Sequence, residues 1–488
     1  MSESAVVSEP VHGTVVVIGG GIAGLAAARD LAIAGARVVV LEEAHEFGGK
    51  LRRREVAGLL VDVGAEAMLN RRPEGVSLAA AVGIDVVHPA IASSRIWSRG
   101  ALRPLPRTLM GVPLDLEGLE ATGLLSEAGL AAVRREATIP ATVLTDDVSV
   151  GALVDRRFGS EVTDLLVEPL LGGVYAGHAR ELSARASVPQ LVAMAERGSI
   201  LEQSAAAADS QDHTYAGPVF AGVEGGMGRF ADALEADLRA RGVELRAGDA
   251  VRAVRRTTHG FEVEAGPLGR PELLRADAVV VAVPAQPASR LLAGIAGVAA
   301  TELGGIEAAS MAVVTMAFRA EDVPSLADTD SSGFLVPPVE NKRVKASTWS
   351  FAKWAWVREA GRGAGPDGED LLVLRTSLGR HREDAVVREP DDALVSDSLL
   401  DLAAAAGVHA RPVDVEVHRW MHGLPQYAVG HLERVQRIRA DVGHVRGLAV
   451  CGAAYDGVGI PAVIASAHRA AAEVLADLAS RAPLGSQG

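Results

Sequence analysis

The sequence predicts a mixed chain: an α/β domain on a parallel sheet, joined from distant pieces, with one helical and one α+β segment inserted into it. Three observations predict this. Residues 14–18 (Thr-Val-Val-Val-Ile) are a β-branched run that passes through a glycine cluster into an apolar helix. Short apolar strands of the same kind recur at 278–283 and 447–451. Between them the pattern changes, to helical spacing over 100–218 and to an α+β mixture over 296–431.

Bulk properties bound the reading. A chain of 488 residues has room for about three domain-sized units and a large core. A net charge of −14 argues against a nucleic-acid partner, because Lys and Arg must replace phosphate counterions. Cys451 is the one cysteine, so no intrachain disulfide forms and a reducing compartment is expected. It reads as a buried small residue closing a strand. Met1 to Gly13 lacks the basic and apolar regions of a signal peptide, and no run is long and apolar enough for a membrane span. A cytoplasmic protein is expected.

Taken in order, the first strand leads to a helix running to about Ala34, with Gly35 as its C-cap. Val38 to Leu41 is the second strand, completing a βαβ unit with parallel pairing and a right-handed crossover. Pro284 stops the strand at 278–283. After the strand at 447–451 a long helix follows Pro461 to about Ser480, with proline in its first turn. If these strands share a sheet, one domain comprises 12–90, 219–295 and 432–482. In the first insertion, 115–135 and 149–167 have helical spacing, while the Ala, Ser, Asp and Gln of 203–213 read as an exposed loop. In the second, 311–318, 371–377 and 413–418 read as strands, and 361–370 as a mobile glycine-rich loop.

The glycine cluster carries chemistry. Gly19, Gly20, Gly21, Ile22, Ala23 and Gly24 form G-x-G-x-x-G between a strand and a helix. Gly19 permits the tight turn, Gly21 lets the backbone approach a pyrophosphate, and Gly24 lets the helix pack closely on the strand. The helix N-terminus favours the phosphates. Glu42, followed by Glu43, ends the second strand, where a carboxylate accepts hydrogen bonds from a ribose diol. This is a Rossmann-like dinucleotide site.

Further segments add a resemblance. Phe47-Gly48-Gly49-Lys50 and Gly58-Leu-Leu-Val-Asp62-Val-Gly64-Ala65-Glu66-Ala67 resemble the flavoprotein family of amine oxidases, phytoene desaturases and protoporphyrinogen oxidases. The resemblance implies FAD. It implies that Gly49, Lys50, Gly64, Ala65, Glu66 and Ala67 cover the pyrophosphate and approach the flavin ring. It also carries over Val251 at the adenine end, Trp420, and Asp456, Val458, Gly459 and Ile460 in the turn before the last helix. A helix N-terminus beside the flavin would stabilise charge on the reduced ring.

Within that family, one subgroup matches over essentially the whole chain. Arg156-Arg157-Phe158-Gly159, Glu168-Pro-Leu-Leu-Gly-Gly173-Val-Tyr175-Ala-Gly177, Glu224-Gly-Gly-Met-Gly228, Ser347-Thr-Trp-Ser-Phe-Ala-Lys353-Trp354 and Leu424-Pro-Gln-Tyr-Ala-Val-Gly-His431 resemble the oxygen-dependent protoporphyrinogen/coproporphyrinogen oxidases. The resemblance implies oxidation of a porphyrinogen, with coproporphyrinogen III expected and protoporphyrinogen IX as the alternative. FAD would take hydride from a bridge carbon, a pyrrole N–H would lose its proton, and O2 would reoxidise the flavin to give H2O2. Gly173 is implied as the residue over the flavin, with Tyr175 beside the substrate. The substrate's propionates need cations, for which Arg71, Arg72 and Arg95 are candidates, with the run Lys342, Arg343 and Lys345 as a further source. The isolated His178, His422 and His431 read as structural. A transient contact with the next haem-pathway enzyme is a further expectation. Two rivals remain. A flavin amine oxidase would want an aromatic cage, and aromatics are 3% of this chain. A non-catalytic flavin-binding scaffold of the haem pathway is the other.

Overall fold

The computed structural model describes residues 13–209, 217–267 and 269–480. The distant apolar strands do share one parallel sheet. Its order is Glu244–Ala247, Arg37–Glu42, Thr14–Ile18, Ala278–Val281, Leu448–Val450. Val15, Val16 and Val17 have no exposed surface, so the central strand is covered on both faces, which explains its unbroken apolar run. Helices Ile22–Ile33, Gly228–Ala240 and Ile460–Ala479 cover one face. Helices Ala285–Leu292, Gly297–Gly304 and His431–Gly443 cover the other, with the antiparallel sheet of Val251–Arg256, Phe261–Ala265 and Glu272–Ala276.

A second, seven-stranded sheet runs Asp414–Pro425, Ala308–Arg319, Leu371–Leu378, Val344–Thr348, Gly333–Leu335, Arg95–Ser98, Ala101–Pro104. The 95–104 hairpin therefore pairs with the second insertion, across the boundary expected near residue 100. Helices Ser350–Lys353, Ala355–Ala360 and Asp391–Ala406 pack against it. The helices between Leu116 and Asp209 form a separate core that meets this sheet at Ile96. Within them Thr163–Val167 is a π-turn leading directly into the helix Glu168–Tyr175.

One expectation is corrected. Residues 203–209 are not a loop; they belong to the helix Ile200–Asp209. Its start is fixed from far away: the Glu136 carboxylate accepts the Ile200 and Leu201 amides at 2.9 and 3.2 Å. The remainder of the expected loop, 210–213, lies outside the described residues.

Candidate active site

The glycine turn sits at the carboxyl edge of the parallel sheet. Gly19 has φ +106°, and a methyl on Gly24 would lie 1.8 Å from the Gly19 carbonyl oxygen, so both positions demand glycine. At Gly21 a Cβ would meet only Gly49 Cα, at 4.0 Å, leaving open space over the helix N-terminus. That N-terminus has no side-chain cap and no acid in its first turn. Gly48 N donates to Gly20 O at 2.8 Å and folds the 48–50 segment over the turn. Burial pulls the Lys50 amine below its ordinary value with no neighbouring carboxylate to offset it. An open cradle, uncapped amides and an uncompensated amine fit a diphosphate.

Glu42 is half-buried, and its side chain is already engaged. Oε2 accepts from Gly20 N at 2.6 Å and Oε1 from Ala44 N at 2.9 Å. Each oxygen keeps a lone pair for a ribose hydroxyl. Glu43 is exposed. Gly248 N donates to Ala44 O and Asp249 N to Glu42 O, both at 2.9 Å, which brings Val251 to this end of the site.

The second turn joins the strand Leu448–Val450 to the helix Ile460–Ala479. That strand and Thr14–Ile18 each pair in parallel with Ala278–Val281, so their following helices start at the same edge of the sheet. Gly459 caps the C-terminal helix without a side-chain bond, and a Cβ there would meet only Pro461 at 4.0 Å. Two long helices thus present free N-terminal amides side by side, a setting that suits a group carrying negative charge. By contrast, Asp62 occupies the Met227 and Gly228 amides that open the helix Gly228–Ala240, at 2.7 and 3.1 Å. The Asp456 carboxylate pairs through one oxygen with Arg439, at 2.5 Å, and with Arg469.

The segment from Asp62 to Ala67 bridges the two sheets. Gly64 allows no side chain: a Cβ would lie 2.1 Å from Lys50 O and 3.0 Å from Trp420 Cζ2. Trp420 donates Nε1–H to Val63 O at 2.9 Å. Ala65 donates to Lys50 O at 3.0 Å, and Ala65 and Ala67 are half-buried. Glu66 is buried and accepts from Ser350 Oγ at 2.5 Å, Lys353 Nζ at 3.2 Å and Arg375 at 3.3 Å. Burial alone would raise its carboxyl, but Arg375 and Lys353, with the Ser350 hydroxyl, outweigh it and hold the group at about 2. The Glu66 side chain is a lock between sheets rather than a free cofactor ligand. Arg375 also donates to Gly64 O at 2.8 Å. Sequence reasoning missed it, although a lone charge in the apolar run Leu371–Leu378 was a signal.

The helix Glu168–Tyr175 carries the exposed Gly173 toward the second sheet, where a Cβ would meet Leu335 Cδ2 at 3.6 Å. The next residues reverse the chain, with Ala176 left-handed at φ +50°. The Tyr175 ring is not presented beside Gly173; it is buried against Tyr427, with centroids 5.6 Å apart. Arg71 is exposed, and Arg72 pairs with Glu74 at 2.7 Å. The helix that follows them, Pro73–Ala81, lies against the last helix, since a Cβ on Gly75 would lie 3.4 Å from Pro461 Cγ.

Arg95 is not brought to Gly173. It pairs in register with Phe334, while its neighbour Ile96 pairs with Leu335, so Arg95 and Leu335 face opposite sides of the sheet. Its guanidinium grips Asp330 at 2.7 and 2.9 Å. The other basic run is also spent elsewhere: Lys342 on Asp401, Arg343 on Glu389 and Asp397, and buried Lys345 on Gly379 O at 3.0 Å. His178 lies 3.7 Å from Glu168, whose carboxylate raises the imidazole above its ordinary value. Cys451 is fully buried, and desolvation pushes its thiol up to about 12. Among the described residues no cluster could hold a metal, and no helix is long and apolar enough to cross a membrane.

Comparison with known proteins places this architecture. Residues 22–475 match the family model described as flavin containing amine oxidoreductase. A Mycobacterium bovis protein named coproporphyrinogen III oxidase is 36% identical, covering 94% of this chain and 96% of its own. A Macaca fascicularis protein named protoporphyrinogen oxidase is 29% identical, covering 95% and 98%. Among solved structures, one from Exiguobacterium sp. 255-15 superposes with a TM-score of 0.81 at 29% identity, covering 95% of this chain and 99% of that one.

Proposed function

The chain belongs to the flavin containing amine oxidoreductase family, and from that membership we propose that it is an FAD-dependent oxidase converting coproporphyrinogen III to coproporphyrin III with O2. Relatives named coproporphyrinogen III oxidase span nearly the full length of this chain, at 36% identity for the mycobacterial protein and 27% for the Bacillus subtilis one. The observation that carries the reading is the pairing of two glycine faces. The uncapped turn at Gly457–Ile460 and the exposed Gly173 turn are tied together through Gln426 and Tyr427.

FAD bound in the cradle supplies the hydride acceptor that O2 returns to its oxidised state, releasing H2O2. The chain's own residues bind and orient. The amides of Gly21 to Gly24 hold the diphosphate, Lys50 adds a positive charge, and Glu42, anchored on the Gly20 amide, takes the ribose. Gly173 leaves room for a flat macrocycle, and its backbone carbonyl is an acceptor for a pyrrole N–H. Arg71, exposed just before the helix Pro73–Ala81, is the cation for propionates, and Arg72 joins it by releasing Glu74. In this reading 12–90, 219–295 and 432–482 form the FAD domain and 296–431 the substrate domain, with 100–218 closing over them. A cytoplasmic location and transient contact with the next haem-pathway enzyme belong to the same reading.

Aerobic turnover tests it. Purified protein given coproporphyrinogen III should generate fluorescent coproporphyrin with about three H2O2 per macrocycle, one for each two-electron oxidation. Gly173→Val should abolish turnover while FAD stays bound. Faster oxidation of protoporphyrinogen IX would shift the reading to the activity in the macaque relative's name. Oxidation of neither would overturn it.

A further inference from the structure

We propose that Gln426 and Tyr427 are positioning residues: a two-residue strut that sets the spacing between the Gly172–Gly177 turn and the Gly452–Gly459 turn. The proposal deepens the functional reading above, since it takes the first turn as substrate-facing and the second as cofactor-facing.

The strand Asp414–Pro425 delivers the strut, and Gln426 N fixes its end by donating to Glu307 O at 2.8 Å. Both side chains are buried. Each spends its polar atoms on one of the turns. Gln426 Nε2 donates to Tyr175 O at 2.7 Å and to Leu424 O at 3.0 Å. Its Oε1 fills the space at Gly177, where a Cβ would lie 2.1 Å away. The Tyr427 hydroxyl donates to Ala453 O at 2.6 Å and accepts from Gly457 N at 2.8 Å, spanning the opposite turn.

Packing holds the strut in one rotamer. The Tyr427 ring stacks on His431 at 3.9 Å and 13°, and lies against the Tyr175 ring at 5.6 Å and 56°. His431 Nε2 meets Tyr455 O at 3.1 Å, which assigns the proton to that nitrogen. Burial keeps the imidazole neutral, pushing it down to about 4. The turns themselves are conformationally demanding. Ala176 is left-handed, Gly452 and Gly457 have φ of +126° and +143°, and His381 N adds a single backbone pin to Ala176 O at 2.7 Å. The left-handed region is unfavourable for an alanine, so the Gly173 turn needs outside support to keep its shape. Neither strut residue touches a reacting atom; the effect works through the turns.

The test uses the holoenzyme with Gln426→Leu, Tyr427→Phe and a Val435→Ala control, which thins the core that Ala454 and Tyr455 share without removing a hydrogen bond to either turn. Hydrogen exchange over 172–177 and 452–459, the bound-flavin spectrum, and kcat and KM for coproporphyrinogen III are measured. Gln426→Leu should loosen the Tyr175–Ala176 amides, and Tyr427→Phe the Gly457 amide. Both should lower kcat by about 10- to 100-fold with KM little changed, as small misplacements do. Tyr427→Phe should also shift the flavin spectrum. If Gln426→Leu does not fold, the near-isosteric Tyr427→Phe carries the test. Unchanged exchange and kcat, or losses matching those of Val435→Ala at equal thermal stability, would overturn the strut. If the wild type oxidises no porphyrinogen yet the exchange pattern holds, the strut stands and the functional reading fails.

Discussion

Glu66 and Lys345 are both buried charges, and their surroundings treat them oppositely. Glu66 has two cations and a hydroxyl; its folded carboxyl at about 2 lies below the unfolded value of about 4.3. The stability it contributes is fully present above pH 4.3 and is lost as pH falls through 2. Glu66→Gln leaves Lys353 and Arg375 short of a partner. It should cost about 3 kcal/mol at neutral pH, read as a lower thermal midpoint, and should flatten the acid limb of the stability curve. Lys345 is pushed down to about 7 by burial and then by Arg380, only partly relieved by Glu383. Its folded value lies below the unfolded value of about 10.4, so stability rises with pH from 7 to 10 as the unfolded lysine gives up its proton. Lys345→Met should raise the midpoint at pH 7 by a few degrees, on the order of 1 kcal/mol, and erase that rise. The lost bond to Gly379 O limits the gain. Arg95→Ala should leave substrate affinity unchanged, since the side chain faces away from Gly173; a raised KM would contradict that placement.

At the scale of elements, what was legible followed local rules. The strand at Thr14–Ile18, the glycine turn and the proline-started last helix each carry their signal within a few residues. The face taken by Arg95 was not legible, because it depends on pairing with a strand more than 200 positions away, and one step of register reverses it. The helix Ile200–Asp209 was hidden for a similar reason: its amides are satisfied by Glu136, itself held by a fully buried Arg157. The π-turn at Thr163–Val167, which leads into the helix bearing Gly173, has no sequence signature that periodicity detects. The glycine turn makes the sharpest test at this scale. Gly24→Ala places a methyl 1.8 Å from Gly19 O, so the folded protein should lose its FAD, seen as colourless eluate.

Over the whole molecule, segments remote in sequence are tied to one another: the first glycine turn to the 48–50 segment and the bridge at 62–67, and the turn after Gly173 to the last turn through Gln426 and Tyr427. None forms a site alone, which is why the resemblance had to span the chain to be informative. Their convergence makes the cofactor part of the fold's energetics. FAD supplied at 100 times its Kd should add about 2.7 kcal/mol to the stability of stripped protein, seen as a rise in thermal midpoint.

Anaerobic mixing of the yellow holoenzyme with coproporphyrinogen III tests most directly whether the Gly173 turn presents a porphyrinogen to the flavin. The expected result is rapid bleaching of the flavin absorbance, restored when air is admitted, and absent in Gly173→Val that still binds FAD. A flavin that stays oxidised in the wild type, with substrate bound and in excess, would contradict it.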